Sequence, residues 1–304
     1  MRVFSAKETA QLLPYPELAT AIGTYLALRR DGKVHVPERI AVPLNEGGVL
    51  LAMPATDERI AMTKLVTVHP NNSTHNLPTI QGEVVVMDAT TGVRHGILDG
   101  ATVTGRRTAA LSLLAANMLA PDNHGPLLVV GSGTQAHTHV EAFIAGQGVT
   151  EVICCSRTQA NAEKLAEFAR SLGAKASVVA TPEEARGQAT LIATTTTATK
   201  PVINWALDDG VFLAAVGAFT PQMTELSPAT LGSANLVVVD TLESIQTEAG
   251  DFLNAVAAGA LMWSTVHELD QYLTPATHSG AIIFKSVGHA LFDLAAAHAA
   301  FPPQ

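Results

Sequence analysis

Val129-Val130-Gly131-Ser132-Gly133-Thr134-Gln135-Ala136 is the stretch on which the fold turns. It has the form G-x-G-x-x-G/A, with an apolar run before it and a helical pattern after it, which is the setting in which this pattern binds a dinucleotide. Gly131 permits the tight turn, Gly133 lets the backbone approach a pyrophosphate, and Ala136 keeps the next helix close to the strand. Ser132, Thr134 and Gln135 complete the turn. The helix N-terminus then offers unpaired N–H groups and a partial positive charge to phosphate. Working outward, apolar runs at 127–130, 151–155, 176–179, 191–194, 212–216 and 236–239 read as six strands, several separated by helical segments such as 137–146 and 159–172. Continuous apolar strands alternating with helices indicate a parallel sheet covered on both faces, a doubly wound α/β domain.

The end of the second strand, about twenty residues beyond the turn, selects the cofactor. An NAD enzyme usually places an acid there for the ribose 2′-hydroxyl. Here the strand ends in Cys155-Ser156-Arg157-Thr158. A guanidinium flanked by two hydroxyls suits a 2′-phosphate, so the expectation is NADPH, with NADH as the alternative. Thr194, at the head of a run of four threonines, either lines the cofactor crevice or begins a polar loop.

The rest of the chain has a different pattern. Helices are expected at 5–13 and 15–30, strands at 49–53, 60–68, 83–88 and 93–98, and a helix at 107–120, forming a mixed α and β region with local hairpins. A last alanine-rich helix is expected at 286–300. The expected boundaries are therefore 1–115 with 286–304 for one domain and 116–285 for the dinucleotide domain. Lys64 sits inside an otherwise apolar strand, Arg39 precedes Ile40-Ala41-Val42-Pro43, and Arg106 and Arg107 open an apolar helix, where the helix dipole disfavours positive charge. Cations placed against their local interest point to an anionic small molecule or to a buried carboxylate partner.

Composition excludes other classes. With 304 residues, 47% hydrophobic, and a formal charge of -9, the chain lacks the basic footprint of a nucleic-acid binder and the sparse apolar content of a disordered one. The two cysteines, Cys154 and Cys155, are strand neighbours that point to opposite faces, and read as packing residues. His137 and His139 are two apart, so they do not share a helix face for a metal, and both read as first-turn helix residues; no metal site is expected. No signal-peptide order opens the chain, and no apolar run reaches the roughly 18–20 residues of a membrane span. The expectation is a cytoplasmic protein that contacts neither membrane nor nucleic acid.

The blocks Thr63-Lys64-Leu65-Val66-Thr67, Gly105-Arg106-Arg107-Thr108-Ala109-Ala110, the glycine turn, Ser156-Arg157-Thr158, Ala215-Val216-Gly217-Ala218 with Thr224-Glu225-Leu226, and Phe284-Lys285-Ser286-Val287-Gly288 together resemble the ornithine cyclodeaminase/mu-crystallin family. The resemblance implies a Rossmann domain holding a nicotinamide cofactor and a mixed α/β domain, joined by the C-terminal helix, that binds substrate and forms a homodimer. It places Arg39, Lys64, Gln81 and Arg107 at substrate-binding positions, with Lys64 catalytic, and adds Gly217, Phe219, Ser286, Val287 and Gly288 to the cofactor positions. The family includes cyclodeaminases, alanine dehydrogenases, ketimine reductases and mu-crystallin members that act as binding proteins. Its cyclodeaminases carry an Asp two residues after the glycine of V-G, and here that place holds Phe219. The expected activity is therefore reduction of a small cyclic imino acid, Δ1-pyrroline-2-carboxylate or its six-membered homologue, to L-proline or L-pipecolate, as occurs in hydroxyproline breakdown. A cyclodeaminase, an alanine dehydrogenase-like enzyme and a non-catalytic binder are the alternatives.

Overall fold

The computed structural model describes residues 2–75 and 77–303, and the chain divides into two compact units. Unit 1 comprises residues 1–107 and 290–304, and unit 2 comprises residues 108–289.

Unit 1 opens with β1 (Arg2–Val3), α1 (Ala6–Leu12) and α2 (Tyr15–Arg30). Ser5 caps α1 by accepting from the Glu8 N–H, while the Glu8 carboxylate accepts from the Ser5 N–H, so two orphan donors are satisfied at once. Then come β2 (Ile40–Pro43), β3 (Val49–Thr56), β4 (Ile60–Val68), β5 (Ile80–Asp88) and β6 (Arg94–Asp99). They form one sheet in the order β1-β6-β5-β4-β3-β2, antiparallel except where β1 joins β6. Carboxylates close two of its turns. Asp57 Oδ1 accepts from the N–H groups of Arg59 and Ile60 between β3 and β4, and Asp88 Oδ1 accepts from Thr90 and Thr91 between β5 and β6. Ile60, Met62, Lys64 and Val66 alternate along β4 and are all buried, so strand periodicity puts Lys64 on the apolar face. The C-terminal helix, Ala290–Ala300, packs against α2, β3, β4 and β5 and covers that face.

The boundary between units falls inside α3 (Gly100–Leu119). Unit 2 continues with β7 (Leu127–Val130), α4 (Thr134–Gln147), β8 (Glu151–Cys155), α5 (Gln159–Ser171), β9 (Lys175–Val178), β10 (Leu191–Thr194) and β11 (Phe212–Ala215). It ends with α6 (Pro228–Gly232), β12 (Leu236–Val239), α7 (Leu242–Glu248), α8 (Gly250–Ala257), β13 (Val266–Glu268) and β14 (Ile282–Lys285). All strand pairs are parallel, in the order β13-β12-β14-β11-β10-β7-β8-β9. The order reverses between β7 and β10, which is the topological switch point of a doubly wound sheet. Strands β7, β10 and β11 are buried throughout, as the continuous apolar runs require.

Several expectations need correction. The sheet has eight strands, because β13 and β14 add to the six read from sequence. Residues 286–289 are not helical: the chain runs from β14 through a loop into a helix that starts at Ala290. The helix expected to begin at residue 107 begins at Gly100, so Arg106 and Arg107 lie well inside α3 and the dipole argument does not apply to them. His139 sits in the second turn of α4, fully buried, with its ring nitrogens on the Gln135 carbonyl and the Ser112 hydroxyl; burial pushes its pKa down to about 4. Both cysteines are buried and free, and burial pushes the Cys154 thiol up to about 12. No helix among the described residues is long and apolar enough to cross a membrane.

Candidate active site

In unit 1 the cations singled out in the sequence separate into distinct roles. Lys64 Nζ lies 2.6 Å from Asp293 Oδ2, and Arg107 Nε lies 3.4 Å from Asp293 Oδ1. All three side chains are buried, with Asp293 fully inaccessible. β4 supplies the lysine, α3 the arginine and the C-terminal helix the carboxylate. Burial pushes Lys64 down to about 8; Asp293 holds the value up, while Arg107 and Arg39 oppose the lysine charge and lower it further. Arg39, half-buried ahead of β2, thus belongs to the same electrostatic neighbourhood. Counted at full charge, Lys64, Arg107 and Asp293 carry a surplus of one positive charge in a setting with little water to screen it. Gln81 is exposed on β5, and its carbonyl accepts from the Thr67 hydroxyl. Arg106, the neighbour of Arg107, holds the fold together instead. Its Nε donates to the Leu13 carbonyl, and its guanidinium stacks 3.8 Å from the Tyr15 ring centroid.

In unit 2 the glycine turn is built for close approach. Gly131 has φ +127, and a Cβ there would overlap the Thr195 hydroxyl, so this position demands glycine twice over. The Ser132 and Ser156 hydroxyls are 2.9 Å apart and tie the turn to the end of β8. Gly133 is the N-cap of α4, yet a Cβ there would meet nothing within 4 Å. Among the described residues, the N–H groups of Thr134, Gln135 and Ala136 in the first turn have no capping side chain. These features fit a pyrophosphate. Arg157 and Thr158 are exposed at the end of β8, and at the end of β10 the buried Thr194 Oγ1 has no hydrogen-bond partner among the described residues.

The remaining expected cofactor residues follow β11 and β14. Gly217 and Ala218 are buried, Phe219 is half-buried, and the Ser286 hydroxyl and the N–H groups of Val287 and Gly288 all donate to Asp240 Oδ2. Buried acids make up what the sequence reading did not single out. Asp293 lies between Phe292 and Leu294 in an alanine-rich helix, and the structure, not the sequence pattern, shows that it answers the buried Lys64 and Arg107. Glu225 and Asp240 are buried acids of the same kind in unit 2, and there the Asp251 carboxylate pairs with the fully buried Lys285 at 3.2 Å.

A parallel sheet that reverses beside a glycine turn with a helix N-terminus behind it defines a Rossmann-type, dinucleotide-binding α/β protein. The chain belongs to the ornithine cyclodeaminase/mu-crystallin family, whose model matches residues 2–301. It is 36% identical over 307 residues to Delta(1)-pyrroline-2-carboxylate reductase 1 of Burkholderia multivorans, covering 98% of this chain and 94% of the relative. It is 38% identical over 301 residues to the Delta(1)-pyrroline-2-carboxylate/Delta(1)-piperideine-2-carboxylate reductase of Azospirillum brasilense, with the same coverage. Among solved structures, the Delta(1)-pyrroline-2-carboxylate reductase of Thermococcus litoralis in complex with NADH and L-proline superposes with a TM-score of 0.86 at 25% identity, over 98% of this chain and 93% of that one.

Asp293→Ala is expected to leave two buried cations without the carboxylate they share, at a cost of about 3–5 kcal/mol. Guanidinium unfolding of wild type and variant measures it. A loss below about 1 kcal/mol would mean the cluster is hydrated and not a buried ion network.

Proposed function

We propose that this protein is an NAD(P)H-dependent ketimine reductase that converts Δ1-pyrroline-2-carboxylate to L-proline and Δ1-piperideine-2-carboxylate to L-pipecolate. The observation that carries the reading is the surplus of positive charge in the buried Lys64–Asp293–Arg107 cluster, which a planar carboxylate would balance. Relatives at 36% and 38% identity over nearly the full chain bear the names of such reductases.

In this reading Arg107 and Arg39 hold the substrate carboxylate, because a guanidinium fork matches its geometry and orients the ring. Gln81 adds a polar contact. When bound, the reduced nicotinamide supplies a hydride to the imine carbon. Lys64, whose pKa near 8 lies close to neutrality, supplies the proton to the ring nitrogen and is then reprotonated from solvent. Asp293 keeps the lysine cationic before the transfer and keeps it aimed. The glycine turn, with Gly131, Ser132, Gly133, Thr134, Gln135 and Ala136, takes the pyrophosphate. Ser156, Arg157 and Thr158 take the 2′-phosphate of NADPH, and Thr194, Gly217, Phe219, Ser286, Val287 and Gly288 line the rest of the cofactor site.

Ammonia release in a cyclodeaminase needs an acid to manage water and amine protons. Phe219 stands at that place, and Glu225, the nearest acid along the chain, already accepts from four donors. Reduction alone is the chemistry these residues support. A cytoplasmic homodimer is part of the same proposal: edge strand β2 exposes Ile40 and Val42, and Leu65 of β4 is exposed as well. Ketimines of this kind arise in hydroxyproline degradation, where such a reductase would serve.

Oxidation of NADPH and NADH in the presence of each cyclic imine tests the assignment; failure to consume either would overturn it. L-Ornithine with NAD⁺ is expected to yield no ammonia, and robust ammonia release would restore the cyclodeaminase reading. Arg157→Ala is expected to weaken NADPH by about 1.5–3 kcal/mol, roughly tenfold to a hundredfold, with little effect on NADH. Equal losses with both cofactors would remove Arg157 from the 2′-phosphate site.

A further inference from the structure

Glu225 is fully buried, and its carboxylate is saturated by donors from two separate loops. Oε1 accepts from the Thr196 N–H at 2.6 Å and the Thr196 hydroxyl at 2.9 Å, in the loop after β10. Oε2 accepts from the N–H groups of Gly217 at 2.7 Å and Ala218 at 3.2 Å, in the loop after β11. The residue itself is pinned from behind, since its carbonyl accepts from the Val202 and Ile203 N–H groups. The two loops are in backbone contact at this point: a Cβ on Gly217 would overlap the Thr196 backbone. Burial holds the Glu225 carboxyl above its ordinary range, with the Asp251 charge acting in the same sense, while Lys285, paired with Asp251, and the Thr196 and Gly217 N–H groups favour the carboxylate.

The position of these loops gives the clamp a purpose. Ligands of doubly wound sheets bind outside the carboxyl ends of the strands at the switch point, with the adenosine ribose at the end of the second strand, here β8. β10 and β11 lie on the other side of β7, so the loops that follow them face the half of the dinucleotide that carries the nicotinamide. We propose that Glu225 is a positioning residue for that half: one buried carboxylate locks the 195–197 and 217–219 loops into a single rim against which the nicotinamide end is seated. This rests on the proposed dinucleotide-dependent function and adds a residue to it. Glu225 touches no reacting atom; it acts through Thr196, Gly217 and Ala218.

Glu225→Gln is the informative variant. The amide group keeps the shape but turns one acceptor oxygen into a donor, so at least one backbone N–H loses its partner. Binding is measured by titration with the reduced dinucleotide and, separately, with ADP-ribose or its 2′-phosphate, fragments that contain the adenosine half and lack the nicotinamide. The expected result is a roughly tenfold or greater loss for the whole dinucleotide with less than about a twofold change for the fragment. A lower kcat with an unchanged KM for the imine accompanies it. Thr196→Val, which keeps the Thr196 N–H on Glu225 and removes the hydroxyl donor together with its 3.4 Å acceptance from the Ala198 N–H, is expected to show the same selective loss at smaller size and serves if Glu225→Gln does not fold. Equal losses for dinucleotide and fragment, or no loss for either, would overturn the role of Glu225 and leave the proposed function standing. Failure of the wild type to bind any dinucleotide would overturn both.

Discussion

Two cations and one carboxylate, buried together, govern the architecture of unit 1. Lys64 cannot be exposed without reversing the register of β4, because every residue it alternates with faces the core. Nor can it stay buried and charged alone, since an unpaired buried ion costs several kcal/mol. The carboxylate that answers it comes from the other end of the chain, about 230 residues later. The C-terminal helix therefore belongs to unit 1, and the chain leaves that unit through α3 and returns to it after β14. Because Arg107 shares the same carboxylate, the cluster is left with more positive than negative charge. A structural ion network would be expected to balance. A surplus held in a low-dielectric setting is what an anionic substrate would complete, and a lysine kept near pH 8 can give up a proton as well as hold a charge.

Unit 2 uses buried charge in the opposite sense. There the carboxylates of Glu225 and Asp240 collect backbone N–H groups from loops at the carboxyl ends of β10, β11 and β14. Strand ends in a parallel sheet leave such groups pointing out of the ladder, and loops that hold a ligand cannot all satisfy them within the backbone. A buried carboxylate takes several at once and fixes the loops relative to one another. Among the described residues no side chain caps the first turn of α4 behind the glycine turn, so the N–H groups of Thr134, Gln135 and Ala136 and the open space at Gly133 remain for phosphate, while the Gly131 N–H is held by the Cys155 carbonyl.

Much of the fold is legible in the sequence because its signals are local. Strands β7, β8, β10 and β12 and the helix α2 fall at the residues their apolar patterns indicate, since a strand buried on both faces has little choice but to be apolar throughout. β14 escapes such a reading because Ile282–Lys285 is short and ends in a charged residue, while the loop Ser286-Val287-Gly288 after it is absorbed into the alanine-rich helix expected at 286–300. The first turns of α3 escape it because Gly100, Thr102, Thr104 and Gly105 have low helix propensity, and packing overrides it. In the candidate site, Lys64 stands out as a cation in an apolar strand. Asp293 does not, because one acid in a helix ordinarily marks a solvent-facing side, and only the tertiary structure reveals that it meets a lysine from a distant strand.

The charge surplus can be measured without turnover. Pyrrole-2-carboxylate is a flat, non-reducible mimic of the cyclic imino acid, and its own carboxylate stays ionised throughout the neutral and alkaline range. Calorimetric titration of the wild-type protein should show affinity that is constant at lower pH and weakens as pH rises through about 8, where Lys64 loses its proton. Above that value the expected fall is about tenfold per pH unit, and it should vanish in Lys64→Met. An affinity that stays unchanged from neutral pH to well above 8 would contradict the central claim that the surplus of positive charge in this buried cluster, present only while Lys64 is protonated, favours the substrate carboxylate.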